Sequence, residues 1–93
     1  MNYHLIWTPK ALNDLTNLWL RTPHRERLTR LIPAVEKHLS QDPEGYGTCQ
    51  FDTVYTVVTA IMGMEYEVIP DDRHVHILRV WDPAQGFPEP SDN

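Results

Sequence analysis

The sequence contains one cysteine, Cys49, which excludes an internal disulfide. No cysteine–histidine spacing surrounds it, so a thiolate zinc site is excluded too. No apolar run approaches the ~20 residues that cross a bilayer. The start, MNYHLIWTPK, lacks the apolar stretch of a signal peptide, and a cytoplasmic location without membrane attachment is the expectation. There is no internal repeat. Positive charge is scarce in one half of the chain. Residues 41–93 hold two Lys+Arg against ten Asp+Glu, a net −8, whereas residues 1–40 hold six against three, a net +3. Any nucleic-acid footprint therefore belongs to the first half, because the acidic second half repels phosphate.

What is present describes one soluble globular domain. Ninety-three residues, 41% hydrophobic and 23% charged, have room for one modest core. Tyr3–Trp7 has the β-favouring residues of a short strand. Thr8 offers an N-cap and Pro9 suits a first helical position. Ala11, Leu12, Leu15, Leu18 and Trp19 then recur at helical spacing and predict a helix to about Leu20. Thr22 and Pro23 repeat the start signal for a second helix, with Leu28, Leu31, Ile32, Val35 and Leu39 as its apolar stripe. Pro33 lies inside that stripe and predicts a kink or break near Ile32. SQDPEGYG (40–47) reads as a loop.

From Phe51 the pattern changes to period two. Val54, Thr56, Val58 and Ala60 share one face of a strand. Met62, Met64, Tyr66 and Val68 share one face of the next, and Val75–Trp81 closes the meander. The order β-α-α-β-β-β predicts an α+β fold, with two N-terminal helices on one face of a four-stranded, mostly antiparallel sheet. Residues 1–81 form the domain, and residues 82–93 an acidic, proline-rich tail expected to be flexible.

The last hairpin carries the chemistry. A turn at Asp71–Asp72 pairs Ile69 with His74, Val68 with Val75, Glu67 with His76 and Tyr66 with Ile77. Tyr66, Val68, Val75 and Ile77 then face the core, and Glu65, Glu67 and His76 the open side. A one-residue slip would bury both glutamates. In a regular ladder Arg79 falls on the core side. A bulge near Leu78 would bring it beside the glutamates, and the sequence leaves both arrangements open.

WTPKALNDLTNLW after the first strand, LSQDPEGYG after the helices and YEVIPDDRHVHILRVW as the last hairpin together resemble the RelE/ParE superfamily of bacterial toxins, over roughly residues 3–81. The resemblance implies the toxin of a type II toxin–antitoxin pair, neutralised by a cognate antitoxin that wraps around it. RelE-like members cleave mRNA on the ribosome without a metal, and ParE-like members poison DNA gyrase. It therefore implies no cofactor, and if the chain is an enzyme, a metal-free ribosome-dependent endoribonuclease. RelE-like nucleases carry an arginine two or three residues before the hairpin tyrosine, where this chain has Gly63 and Met64. Many carry a His or Tyr just after the last strand, where this chain has Trp81 and Asp82. These departures move weight toward a gyrase poison, or toward an inactive module that only binds its antitoxin-like partner.

Metal-free RNA cleavage needs a base, an acid and a cation for the phosphorane. His76, Glu67 or Glu65, and Arg79 are the candidates for those roles. The competing reading of Glu67 and His76 is an ordinary cross-strand contact. Arg25, Arg27, Arg30 and Lys37 on the second helix are candidates for holding a nucleic-acid backbone. The competing reading is a solvated face, with Glu26 and Glu36 interspersed. His74 and His76 supply two imidazoles on one strand face but no third ligand is evident, so no metal site is expected. Trp7, Trp19 and Trp81 read as core or core rim rather than as a base-stacking platform.

Overall fold

Thr8 starts the first helix as its sequence predicts. Its hydroxyl accepts the Ala11 N–H (3.2 Å) and donates to the Ile77 carbonyl (2.8 Å), so one side chain both caps the helix and pins its start to the last strand. The computed structural model describes residues 2–86. Strand β1 is His4–Trp7, helix α1 Pro9–Arg21, helix α2 Arg25–Gln41 and the short helix α3 Pro43–Tyr46. Strands β2 (Thr48–Phe51), β3 (Val54–Val58), β4 (Gly63–Ile69) and β5 (His74–Trp81) follow.

The class is α+β, as the sequence implies, but the sheet has five strands rather than four, in the order β1-β5-β4-β3-β2. The extra strand is β2, paired antiparallel to β3. All four of its residues are exposed, so it has no one-sided burial and no readable alternation. The remaining pairs are antiparallel except β1 with β5, which is parallel.

Four local expectations are corrected. Thr22 does not cap α2. It ends α1, its hydroxyl accepts the His24 N–H, and α2 begins at Arg25 without a side-chain cap. Pro33 does not break α2, which runs through it. The proline removes one N–H, the partner of the Thr29 carbonyl, while buried Leu28, Val35 and Leu39 hold the turns on either side. Ala60 is not in a strand, because β3 stops at Val58 and Thr59 turns the chain through a 2.8 Å bond from its N–H to the Met62 carbonyl. The loop expected over 40–47 contains α3, capped by Asp42.

Both helices cover one face of the sheet. Ala11, Leu18, Leu28, Val35 and Leu39 from the helices form one cluster with Val57, Met62, Met64, Tyr66, Val68, Val75, Ile77 and Val80. At its centre Tyr66 is wholly buried and donates to the Pro43 carbonyl at 2.6 Å. Leu12 and Trp19 are corrected from the predicted stripe, being 49% and 41% exposed.

The hairpin register is the one the alternation predicts: Ile69 opposite His74, Val68 opposite Val75, Glu67 opposite His76 and Tyr66 opposite Ile77. The register then shifts, and Glu65 lies opposite Arg79 and Met64 opposite Val80. Leu78 is the bulged residue, and it returns Val80 to the core and Arg79 to the side of the glutamates. Beyond β5, Pro83–Gln85 form a 3₁₀ turn capped by the Asp82 carboxylate. Residues 87–93 of the expected flexible tail lie outside the described residues.

Candidate functional site

The pairing register fixes the open face. Directly opposed residues share a side of the sheet, so this face carries His4 and Ile6 from β1, His74 and His76 from β5, Glu65 and Glu67 from β4, and Val54, Thr56 and Val58 from β3. It gathers the four residues proposed for chemistry, His76, Glu67, Glu65 and Arg79, but does not engage them with one another as a catalytic set. Glu67 accepts from the Thr53 hydroxyl (3.0 Å) rather than from His76.

Arg79 is held elsewhere. Beyond Trp7 the edge of β5 has no β1 partner, because the chain turns into α1. Asp14 of α1 fills the gap. Its carboxylate accepts from Arg79 Nε at 2.8 Å and from the Val80 backbone N–H at 3.1 Å. One acid thus satisfies an orphaned strand donor and neutralises the guanidinium. Both side chains are less than a fifth exposed. Nothing in the sequence marks Asp14, which reads as a polar helix residue and meets its partners only through the fold.

Burial raises the Glu65 carboxyl above its usual range, and Arg79 opposite it pulls the other way.

Arg25, Arg27, Arg30 and Lys37 sit on α2, on the helix side of the sheet, so the fold separates them from the glutamates and His76. Arg25 is already engaged. It donates to the Trp19 and Leu20 carbonyls (2.9 and 3.1 Å) and lies 4.4 Å from the centre of the Trp19 ring. It closes the end of α1 as a C-terminal cation should. Arg27, Arg30 and Lys37 are exposed.

Three concavities stand out among the described residues. A cleft of about 320 Å³ between the C-terminal half of α1 and the end of β5 is lined by Asp14, Asn17, Arg21, Arg79, Trp81 and Gln85, among others. A groove of about 410 Å³ runs between α1 and α2 and is lined mostly by apolar atoms of Leu15, Trp19, Leu28, Ile32 and Pro33. A third hollow, of about 450 Å³, is lined by Trp19, Arg25, Glu26, Thr29 and Arg30 and shares Trp19 and Thr29 with the groove.

No protein-family model matches the sequence, and no curated protein does. Solved structures do. The toxin–antitoxin complex RelBE2 of Mycobacterium tuberculosis superposes with a TM-score of 0.72 at 21% identity, over 88% of this chain and 99% of that one. A mutant of the E. coli toxin RelE in its free state gives 0.66 at 18% identity, over 92% and 88%. The chromosomal ParDE system of P. aeruginosa gives 0.61 at 20% identity, over 86% and 95%. The chain has the RelE/ParE toxin fold.

On this fold the arginine of the RelE-like pattern would stand at position 63 or 64. Neither position has room for it. Met64 is fully buried in the core, and Gly63 lies directly opposite Trp81, whose indole occupies the space where a β-carbon on Gly63 would be built. The two departures noted in the sequence, Gly63 and Trp81, are therefore one structural feature. The tryptophan requires the glycine. Among the described residues no helix is long and apolar enough to cross a membrane.

Proposed function

We propose that this chain is the toxin of a type II toxin–antitoxin pair, and that it arrests growth by binding a protein target, of which DNA gyrase is the class that ParE-like toxins poison, rather than by cutting mRNA. The observation that supports this reading is the indole of Trp81 over Gly63, on a RelE/ParE fold whose Arg79, on the side of the glutamates, is neutralised by Asp14. Metal-free RNA cleavage must stabilise a doubly charged phosphorane with cations, and here two glutamates occupy the face instead. The RelE- and ParE-containing structures that resemble the chain include complexes with antitoxins. A cognate antitoxin is accordingly the expected partner, one helix of it seated in the α1–α2 groove.

The test has two stages. Inducible expression should arrest growth, and co-expression of the small neighbouring reading frame should relieve it. Purified protein should then inhibit gyrase supercoiling and leave ribosome-bound mRNA intact. Cleavage of ribosome-bound mRNA would overturn the choice of target. Absence of any growth arrest would favour the second reading, an inactive module that only binds its antitoxin-like partner, to which the missing arginine also conforms.

A further inference from the structure

The two edges of the sheet differ. At β1, helix α2 covers the outer side. The Tyr3 N–H donates to the Ser40 carbonyl (2.7 Å) and the Trp7 indole N–H to the Glu36 carboxylate (2.9 Å). Where β5 outruns β1, Asp14 takes the Val80 N–H. At the other edge, no strand among the described residues pairs with the outer side of β2. Edge strands are usually blunted by lysine or proline, and Thr48–Phe51 contains neither, nor any charge. The register also identifies its outward groups. The Val68 N–H bonds to the Thr53 carbonyl (2.9 Å), so Thr53, Tyr55 and Val57 turn their backbone groups to β4, and Val54, Thr56 and Val58 turn theirs to β2. Thr48 is the register partner of Thr56 and points inward, which leaves the Cys49 N–H and carbonyl pointing out. The register shift of β2 comes after this pair, between Cys49 and Phe51. Phe51 is 60% exposed and lies opposite Val54 at the strand's end.

We infer, resting on the reading of this chain as a toxin with a protein target, that the outer edge of β2 takes a sixth strand, an extended segment of that target carrying Lys or Arg beside apolar residues. This surface is separate from the antitoxin groove. Helix α1 packs on β5 and α2 on β1, so the groove lies over the opposite end of the sheet. The surroundings of the edge set the chemistry of the segment. Main-chain bonds to Cys49 give affinity without reading sequence. Phe51 offers an apolar cross-strand contact. Acids flank the strand: Asp52 follows Phe51, and Glu44 belongs to α3, which packs against β2. Burial first, and then the Glu44 carboxylate, raise the Tyr55 phenol, and Tyr55 is the register partner of Cys49. Glu44 therefore stands beside the middle of β2. Such an edge repels a nucleic acid and attracts Lys or Arg. It also disfavours a second copy of the chain, because antiparallel pairing of two β2 strands sets Asp52 of each against the Glu44 end of the other.

The first measurement adds a capped peptide of about eight alternating lysine and valine residues to the full, isotope-labelled chain. At saturation the Cys49 amide should exchange with solvent roughly tenfold more slowly, and the Phe51 resonances should move. The matching glutamate–valine peptide should do neither. Glu44→Gln/Asp52→Asn, in which asparagine suits the positive φ at position 52, should weaken binding of the lysine peptide about threefold or more. The second measurement is growth. Cys49→Pro removes the outward N–H and spares the bonds between Thr48 and Thr56. It should lose growth arrest while binding the antitoxin like wild type and unfolding cooperatively. No slowing at Cys49 with the lysine peptide at roughly 5 mM would overturn the inference. So would equal binding of the glutamate peptide. Undiminished growth arrest in a folded Cys49→Pro would overturn it with the toxin reading intact. Loss of antitoxin binding in that variant would overturn the choice of occupant and give the edge to the antitoxin. If the wild-type chain arrests no growth, the toxin reading fails and the peptide decides alone, slowing at Cys49 upholding a strand-binding edge and its absence overturning it.

Discussion

Asp14 joins α1 to the free edge of β5 through two hydrogen bonds to a single carboxylate oxygen. Replacing it with alanine leaves the Val80 N–H and the Arg79 guanidinium without their partner, and should cost about 2–3 kcal/mol in urea unfolding. Asp14→Asn separates structure from function, since it keeps the shape and releases the charge of Arg79. If Arg79 contacts the target, Asp14→Asn should remain toxic while a still-folded Arg79→Ala is silent. If Arg79 only holds the edge, both variants should be as toxic as wild type once folded. Glu67→Gln and His76→Gln should each change stability by less than about 1 kcal/mol, because neither depends on the other. Glu65 makes a pH prediction of unusual sign. Its folded pKa lies above the unfolded one, so the folded state binds a proton more readily, and stability should rise as pH falls from neutral through that folded pKa. Glu65→Gln should remove this increment, which paired urea titrations at neutral and mildly acidic pH would detect. For Arg79 the sequence offered the bulge near Leu78 as one of two arrangements and gave no sign of Asp14. Its partner lies 65 residues away, and its side of the sheet depends on one bulged residue.

The β4–β5 hairpin was the most legible element, and the reason is physical. Alternation of apolar and polar residues with one face buried leaves a single tolerable register, and Val68, Tyr66, Val75 and Ile77 all obey it. β2 offered no such signal because nothing in TCQF is buried, and the parallel seating of β1 is unreadable in four residues. Tyr66 is where the elements meet. Its ring is buried in the core, and its hydroxyl reaches the Pro43 carbonyl at the start of α3. Tyr66→Ala should cost about 3–5 kcal/mol, a large part of what stabilises a domain of this size. Burial above all pushes the phenol up to about 12. The unfolded chain releases that proton near the ordinary tyrosine pKa, so stability should fall as pH rises from about 10 toward 12. In Tyr66→Phe that alkaline loss should shrink, at the cost of about 1–2 kcal/mol at neutral pH for the orphaned carbonyl. Chemical denaturation followed across that range checks both statements.

At the scale of the molecule the charge asymmetry of the sequence becomes two sides of a slab. The helices carry Arg25, Arg27, Arg30 and Lys37, and the open sheet face carries Glu65 and Glu67. Between the helices lies the apolar groove, with partly exposed Trp19 in its lining; the other large exposed apolar side chains, Leu12 and Leu20 on α1 and Phe51 and Val58 on the sheet, lie outside it. In a domain of this size such a side chain in an apolar groove marks a surface meant to be covered. An amphipathic helix with leucine-like anchors at its centre and acids toward Arg30 fits the groove better than a nucleic-acid strand, which would leave Leu15 and Ile32 wet. Trp19→Ser, in the groove lining, should therefore weaken antitoxin binding by about 2 kcal/mol or more, roughly 30-fold, as central anchors do. Arg27→Ala and Lys37→Ala, outside the groove lining, should change it by less than about 1 kcal/mol. Because Trp19 is partly exposed, the variant should stay folded and keep its toxicity, so the antitoxin should rescue growth poorly from it. Undiminished affinity in a folded Trp19→Ser variant would instead seat the antitoxin across the acidic open face, and a Lys/Arg-rich antitoxin segment would then be required to cover Glu65 and Glu67.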